Sequence, residues 1–253
     1  MSLESKLHKA ISQHKWELVR SLSAHPGVDV NKRAADDIYT PLGLAVYGAG
    51  ADETSVEILL SHPRIDINAT SGTWGTPLAI ACYFGYIPTI IRLMASEKVE
   101  VNPRDSKGRT PFFRACERGQ WQAVQLLLKY QAVDVTQVDN MGVSPVRVAS
   151  DHGHLRVVQL ILASGRNLDL DLDQGMSVLV QQGLKAAVTG EVHAPGRIPA
   201  AGKAIATLLL DYKKDPEGTK KILREAILAR ERLNLFLVPF FELTFFFFFF
   251  FLV

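Results

Sequence analysis

The sequence lacks most of the features that mark enzymes and secreted scaffolds. Its 253 residues include two cysteines, Cys82 and Cys116, where a small disulfide-stapled fold carries more. Neither sign of charge dominates, with 28 Lys and Arg against 26 Asp and Glu and a net charge of +2. A dedicated nucleic-acid surface, which needs a marked basic excess, is not expected. No glycine-rich phosphate loop and no Gly-x-Ser-x-Gly turn occurs. The seven histidines show no metal-ligand spacing. His25 and His62 sit at matching Ala/Ser-His-Pro positions and read as structural, and Asp36-Asp37 reads as a solvated turn. No catalytic residue, cofactor or metal ligand is therefore predicted, and the chain is not expected to be an enzyme. The first nine residues carry charges and no apolar run of signal-peptide length, which predicts a cytoplasmic protein, with the nucleus also open to it.

What is present is a repeat. Thr40-Pro41-Leu42, Thr76-Pro77-Leu78, Thr110-Pro111-Phe112 and Ser144-Pro145-Val146 recur at spacings of 36, 34 and 34 residues. A second marker runs in phase with it: Val28-Asp29-Val30-Asn31, Ile65-Asp66-Ile67-Asn68, Val99-Glu100-Val101-Asn102, Val133-Asp134-Val135-Thr136 and Leu168-Asp169-Leu170-Asp171. Two markers in phase at this period indicate a solenoid. A Ser or Thr hydroxyl before Pro starts a helix, because the hydroxyl caps free amides and Pro suits the first helical position. Gly119 and Gly153 suit a helix end that needs a left-handed residue. Clusters such as Val124-Gln125-Leu126-Leu127-Leu128 supply the buried stripe of a second helix. Asp105-Ser106-Lys107-Gly108 and Asp139-Asn140-Met141-Gly142 read as turn tips. A helix pair this short cannot bury its apolar face alone, so neighbouring pairs must stack.

The pattern resembles the ankyrin repeat, most closely where Gly142-Val143-Ser144-Pro145 leads to Ala149, Gly153-His154 and Val157-Val158-Gln159-Leu160. The resemblance implies an all-α solenoid of paired antiparallel helices joined by extended β-turn or hairpin fingers. Residues 1–173 would hold five repeats. The first lacks Thr-Pro and carries Lys6, Lys9 and Lys15, as suits a water-facing cap. Residues 174–213 would form a degenerate sixth repeat, with Ser177–Val180 and Ala204–Leu210 as its helices and an inserted loop at Gly190–Pro199. Cys82 and Cys116 fall at equivalent points of neighbouring repeats. Stacked helices lie about 8–10 Å apart, beyond the roughly 7 Å limit of disulfide Cα atoms, so both read as small core residues.

Residues 214–234 predict a C-terminal helix, with Ile222, Leu223, Ala226 and Ile227 as a stripe that packs on the last repeat. Residues 235–253 differ in kind: 16 of 19 are apolar and seven consecutive phenylalanines fill 245–251. As a helix the segment spans roughly 28 Å, near a bilayer core, with Arg230 and Arg232 preceding it. Glu242 and Pro239 oppose an anchor. The favoured expectation is a low-complexity run without selected structure, the chain's own sequence ending differently after about Arg232.

The resemblance also implies a binding face. Leu78, Ala81 and Cys82 share one helical face, so Tyr83 and Phe84 point off the core stripe. In ankyrin-like proteins these positions, with the turn tips, line a concave surface. Carried across residue by residue they give Tyr47 in repeat two, Tyr83 and Phe84 in three, Glu117 and Arg118 in four, and Asp151 and His152 in five. The tips add Tyr39, Trp74, Lys107, Arg109 and Met141. Trp74 stands where Gly108 and Gly142 stand later, so its finger should be remodelled around Gly72 and Gly75. The expected function is non-catalytic binding of another protein or peptide by a monomer, without nucleic acid. Alternatives are a tail-anchored membrane adaptor, if 235–253 is genuine, and a substrate-recruiting subunit of a larger enzyme complex.

Overall fold

Each Ser/Thr-Pro marker opens a helix in the way its chemistry requires. In the computed structural model, which describes residues 2–33, 38–48, 53–166, 200–229 and 231, the Thr40 hydroxyl accepts from the Gly43 amide at 3.1 Å. Thr76, Thr110 and Ser144 do the same for Ala79, Phe113 and Arg147 at 3.4, 3.2 and 3.3 Å. The first repeat lacks the Thr-Pro pair but is capped by Ser2, which accepts from Ser5 at 3.2 Å. Five first helices result: α1 Leu3–Ser12, α3 Pro41–Gly48, α5 Pro77–Phe84, α7 Pro111–Glu117 and α9 Pro145–Asp151. Each precedes a second helix: α2 Trp16–Ser23, α4 Glu53–Leu60, α6 Ile87–Met94, α8 Trp121–Leu127 and α10 Leu155–Ala163.

Stacking follows the repeat order. The first helices pack in sequence, α1 on α3, α3 on α5, α5 on α7 and α7 on α9, while α2 meets α4, α6 meets α8 and α8 meets α10. One continuous core runs the length of the stack, with Leu42, Leu78, Phe112 and Val146 repeating at its centre. Cys82 and Cys116 are buried free thiols in this core, and burial pushes both thiols well up from their ordinary value. His25 and His62 are turn residues: each Nδ1 accepts a backbone amide two residues on, from Gly27 at 3.0 Å and Arg64 at 3.2 Å.

Two hydrogen-bond devices lock one repeat to the next. The first explains the Val-Asp-Val-Asn marker. Asn31 donates to the Arg64 carbonyl at 2.8 Å and accepts from the Asp66 amide at 2.8 Å. Asn68 does so with Lys98 and Glu100, and Asn102 with Ala132 and Asp134, all at 2.7 to 2.9 Å. At Thr136 the hydroxyl donates to Asp134 at 2.7 Å. The second device follows the helix-ending glycines. Gln120 donates to the Tyr83 carbonyl at 3.2 Å, and His154, at the equivalent position, meets the Glu117 carbonyl at 3.2 Å.

No strand occurs among the described residues, so the joining fingers are tight turns. In repeat four Asp105 and Arg109 close the turn backbone to backbone at 3.1 Å, and the Asp105 carboxylate accepts the Lys107 and Arg109 amides at 2.8 and 2.9 Å. Repeat five copies this with Asp139 and Val143 at 3.0 Å. The glycine tips, Gly108 and Gly142, have φ of 77° and 75°.

Beyond repeat five, α11 (Ala200–Lys214) packs on α10 and α9 and takes in the Ala204–Leu210 segment expected as a second helix. The partner helix expected at Ser177–Val180 and the Gly190–Pro199 loop lie outside the described residues, as does 235–253. Residues 216–229 form a further helix, α12, whose first turn Asp215 caps through the Gly218 amide at 2.9 Å. Its inward stripe is the buried Thr219 and Leu223 with the half-buried Ile227, spaced i, i+4, i+8. Ile222 is 67% exposed and Ala226 is exposed, so the expected stripe is rotated. In this orientation Arg224 donates to the Ala163 carbonyl at the end of α10 at 2.8 Å, a cation placed at a helix C-terminus.

Candidate functional site

The finger of repeat three departs from the two that follow. Trp74 occupies the place of Gly108 and Gly142, and its bulky Cβ disfavours positive φ. Gly72 and Gly75 take that conformation instead, at 52° and 79°, and Gly72–Trp74 winds into one 3₁₀ turn closed by Ser71 and Gly75 at 2.7 Å. This turn brings the indole over the C-terminal ends of α3 and α5.

There the five aromatic residues expected at the binding face converge. Tyr39 packs at a tilt against Tyr47 with ring centroids 4.8 Å apart, and Trp74 lies 6.4 Å from Tyr39 and 5.7 Å from Tyr47. Phe84 lies 5.4 Å from Tyr47 and 5.9 Å from Trp74, and Tyr83 meets Trp74 edge-on at 5.2 Å. Tyr86, absent from the sequence-based set, extends the cluster by stacking on Phe84 at 5.5 Å. Tyr39 is buried and Trp74, Tyr83 and Phe84 are half-buried, while Tyr47 is 42% exposed. The rings thus form a rigid surface joining repeats two and three, with Tyr47 its most open member.

Beneath the rings lies a residue the sequence reading passed over. Arg114, in α7, is 4% exposed. Its guanidinium pairs with Asp105 at 2.6 Å, donates to the Thr73 carbonyl at 2.7 Å, and lies 5.9 and 5.5 Å from the Trp74 and Tyr83 ring centroids. Burial pulls this guanidinium down from its ordinary value, and the Asp105 charge opposes the shift. Arg109 completes the network. Expected at a partner-facing tip, it turns inward, 9% exposed, to Asp105 at 3.1 Å and Glu117 at 3.0 Å. Two cations and two carboxylates therefore balance, and the quartet welds the finger of repeat four to the end of α7.

The remaining expected residues are dispersed over repeats four and five. Arg118 is exposed, its guanidinium 4.9 Å from the Tyr83 ring centroid, and Lys107 is exposed at its tip. Met141 is 85% exposed. Asp151 is half-buried beside Arg147 at 3.8 Å, and exposed His152 stacks on His154 at 5.9 Å. Among the described residues no group of three His, Cys, Asp or Glu could hold a metal ion, and no helix is long and apolar enough to cross a membrane.

Residues 78–172 match the family model described as ankyrin repeats (3 copies). These are ankyrin repeats. The match begins inside α5 and takes in repeats three to five. Repeats one and two carry the same hydroxyl caps, Asn bridge and helix order upstream of it. The described fold is an all-α ankyrin solenoid. Ankyrin repeats are in general protein–protein interaction modules, and proteins built from them are typically non-catalytic. No curated protein matches the chain.

Proposed function

We propose that the chain is a non-catalytic interaction module that holds a partner protein or peptide on the concave face of its ankyrin stack. Repeats one to five carry that face, and α11 and α12 close the end of the stack beside α9 and α10. The observation that carries this reading is the aromatic surface of Tyr39, Tyr47, Trp74, Tyr83 and Phe84, drawn from two repeats and left partly open to solvent. Interlocked aromatic side chains of this kind are enriched at binding hot spots because they bury a large area at low entropic cost.

Tyr47→Ala is the cleanest probe, since Trp74 and Tyr83 also serve the packing of Arg114. Partner capture from cell extract by the full chain is compared with capture by this variant, with folding checked by circular dichroism. The reading expects a protein retained by the parent and lost by the folded variant. Equal retention by both would refute the aromatic site.

A further inference from the structure

We infer that this surface takes an extended acidic segment, an aromatic or aliphatic side chain seated against Tyr47 and Trp74 and carboxylates reaching Arg118 and Lys107. The inference rests on the proposed concave site and names the chemistry of what occupies it.

An aromatic surface can recognise a cation through the ring quadrupole, usually within about 6 Å of the centroid. On Trp74 and Tyr83 that role is already filled. Arg114 lies 5.9 and 5.5 Å from their centroids, and Arg118 lies 4.9 Å from Tyr83. A lysine, arginine or quaternary ammonium arriving at these rings would meet like charge.

Asp105 and Glu117 are consumed by Arg109 and Arg114, and Asp151 faces Arg147. Arg118 and Lys107 are exposed, and neither has a carboxylate within ion-pair distance among the described residues. Arg104, in the same finger as Lys107, has the neutral Asn140 side chain as its hydrogen-bond partner at 3.3 Å. The finger of repeat four is held to the end of α7 by the Arg109–Glu117 contact, so these cations flank the aromatic surface on one side. The flank is complementary to carboxylates, which would orient the segment more than hold it.

From repeat two to repeat four the stack advances by two helix spacings, roughly 20 Å, which about six extended residues span. A nucleic acid is disfavoured: the exposed cations are few, where counterion-driven binding draws on about 6–10 phosphate contacts.

A displayed library of random peptides about twelve residues long, twice the span needed, is selected against the full chain and against Tyr47→Ala, Arg118→Glu and Lys107→Glu. The expected pool from the parent chain is net acidic with an aromatic or aliphatic anchor. Its members should lose about tenfold in affinity on Arg118→Glu, a rim attraction converted to repulsion. Selection on that variant should move the pool toward neutral or basic peptides, a change that mere unfolding would not produce. A neutral or basic pool from the parent chain, a pool unmoved by Arg118→Glu, or no enrichment at all would overturn the inference. If such a pool still depended on Tyr47, the aromatic site would stand without its acidic preference. Peptides indifferent to Tyr47→Ala would overturn both.

Discussion

Removing Asp105 should cost more than removing Arg114, and removing both should cost less than the sum. Asp105 has no exposed side-chain surface and accepts four hydrogen bonds: the Lys107 and Arg109 amides at 2.8 and 2.9 Å, Arg109 Nε at 3.1 Å and an Arg114 nitrogen at 2.6 Å. Asp105→Ala takes both amide bonds from the finger and leaves two guanidiniums facing each other with Glu117 alone to balance them. Breaking a buried ion pair in this one-sided way costs about 3–5 kcal/mol. Arg114→Met is gentler. Asp105 keeps Arg109 and both amides, and a flexible thioether can refill the space against Trp74 and Tyr83. The loss of the Thr73 and Asp105 bonds then amounts to about 1–2 kcal/mol. In the double variant one guanidinium faces one carboxylate, so the charge imbalance left by Asp105→Ala is relieved. The double should therefore fall short of the summed costs by about 2 kcal/mol. Urea unfolding of the full chain, followed by far-UV circular dichroism, gives the four free energies, provided the denaturant slope is common to all. Additivity within about 0.5 kcal/mol, or a milder effect of Asp105→Ala than of Arg114→Met, would refute the view that the quartet acts as one charge-balanced unit.

Two further perturbations test how the repeats are joined. Gly119→Ala places a side chain at φ 68° and a Cβ 2.5 Å from His154 Nδ1, combining backbone strain of about 1–2 kcal/mol with a collision of similar size; a chemical-denaturation midpoint unchanged from the parent would contradict this. Burial depresses the His154 imidazole below its ordinary value of 6.5, opposed by the Glu117 carbonyl. The neutral ring's contribution is thus complete above that value and lost as pH falls through the depressed one, so stability should decline on acidification through this window. His154→Gln, which copies Gln120 at the equivalent position, should flatten that decline, and an unaltered pH profile would remove His154 as its cause.

The stacking direction was legible because the residues that set it act locally. A hydroxyl three residues ahead of a free amide, a proline with no donor to lose and a glycine at positive φ do the same work in any setting, so Thr76, Thr110 and Ser144 marked helix starts without tertiary knowledge. The Asn31, Asn68 and Asn102 bridges were visible as a periodic marker but not as a mechanism, since each joins residues 30 to 35 apart. Arg109 and Arg114 show the limit. At a turn tip, arginine reads as solvent-facing, and nothing in the pattern singles out Arg114. Both turn inward because Asp105, Glu117 and the Thr73 carbonyl converge on them, the last from 41 residues away. The α12 stripe was misplaced for a related reason: several apolar stripes satisfy the helical period, and the contacts that go with the observed one, such as Arg224 with Ala163, join residues 61 apart.

The two local oddities of repeat three explain each other. A tryptophan where the turn wants glycine moves the positive φ to Gly72 and Gly75 and leaves the Thr73 carbonyl directed at α7. Arg114 meets that carbonyl from an otherwise apolar helix face, and its charge in turn requires Asp105 from the next finger. None of this is needed for stacking, because repeat five manages with Asp139, Gly142 and no buried cation at its tip. The arrangement costs desolvation of a guanidinium and returns a fixed indole beside Tyr47, Tyr83 and Phe84. Departures that burden the fold yet order a partly open surface are where a sequence is expected to trade local consistency for recognition. That trade, more than the number of rings, favours the boundary of repeats two and three as the place a partner is held.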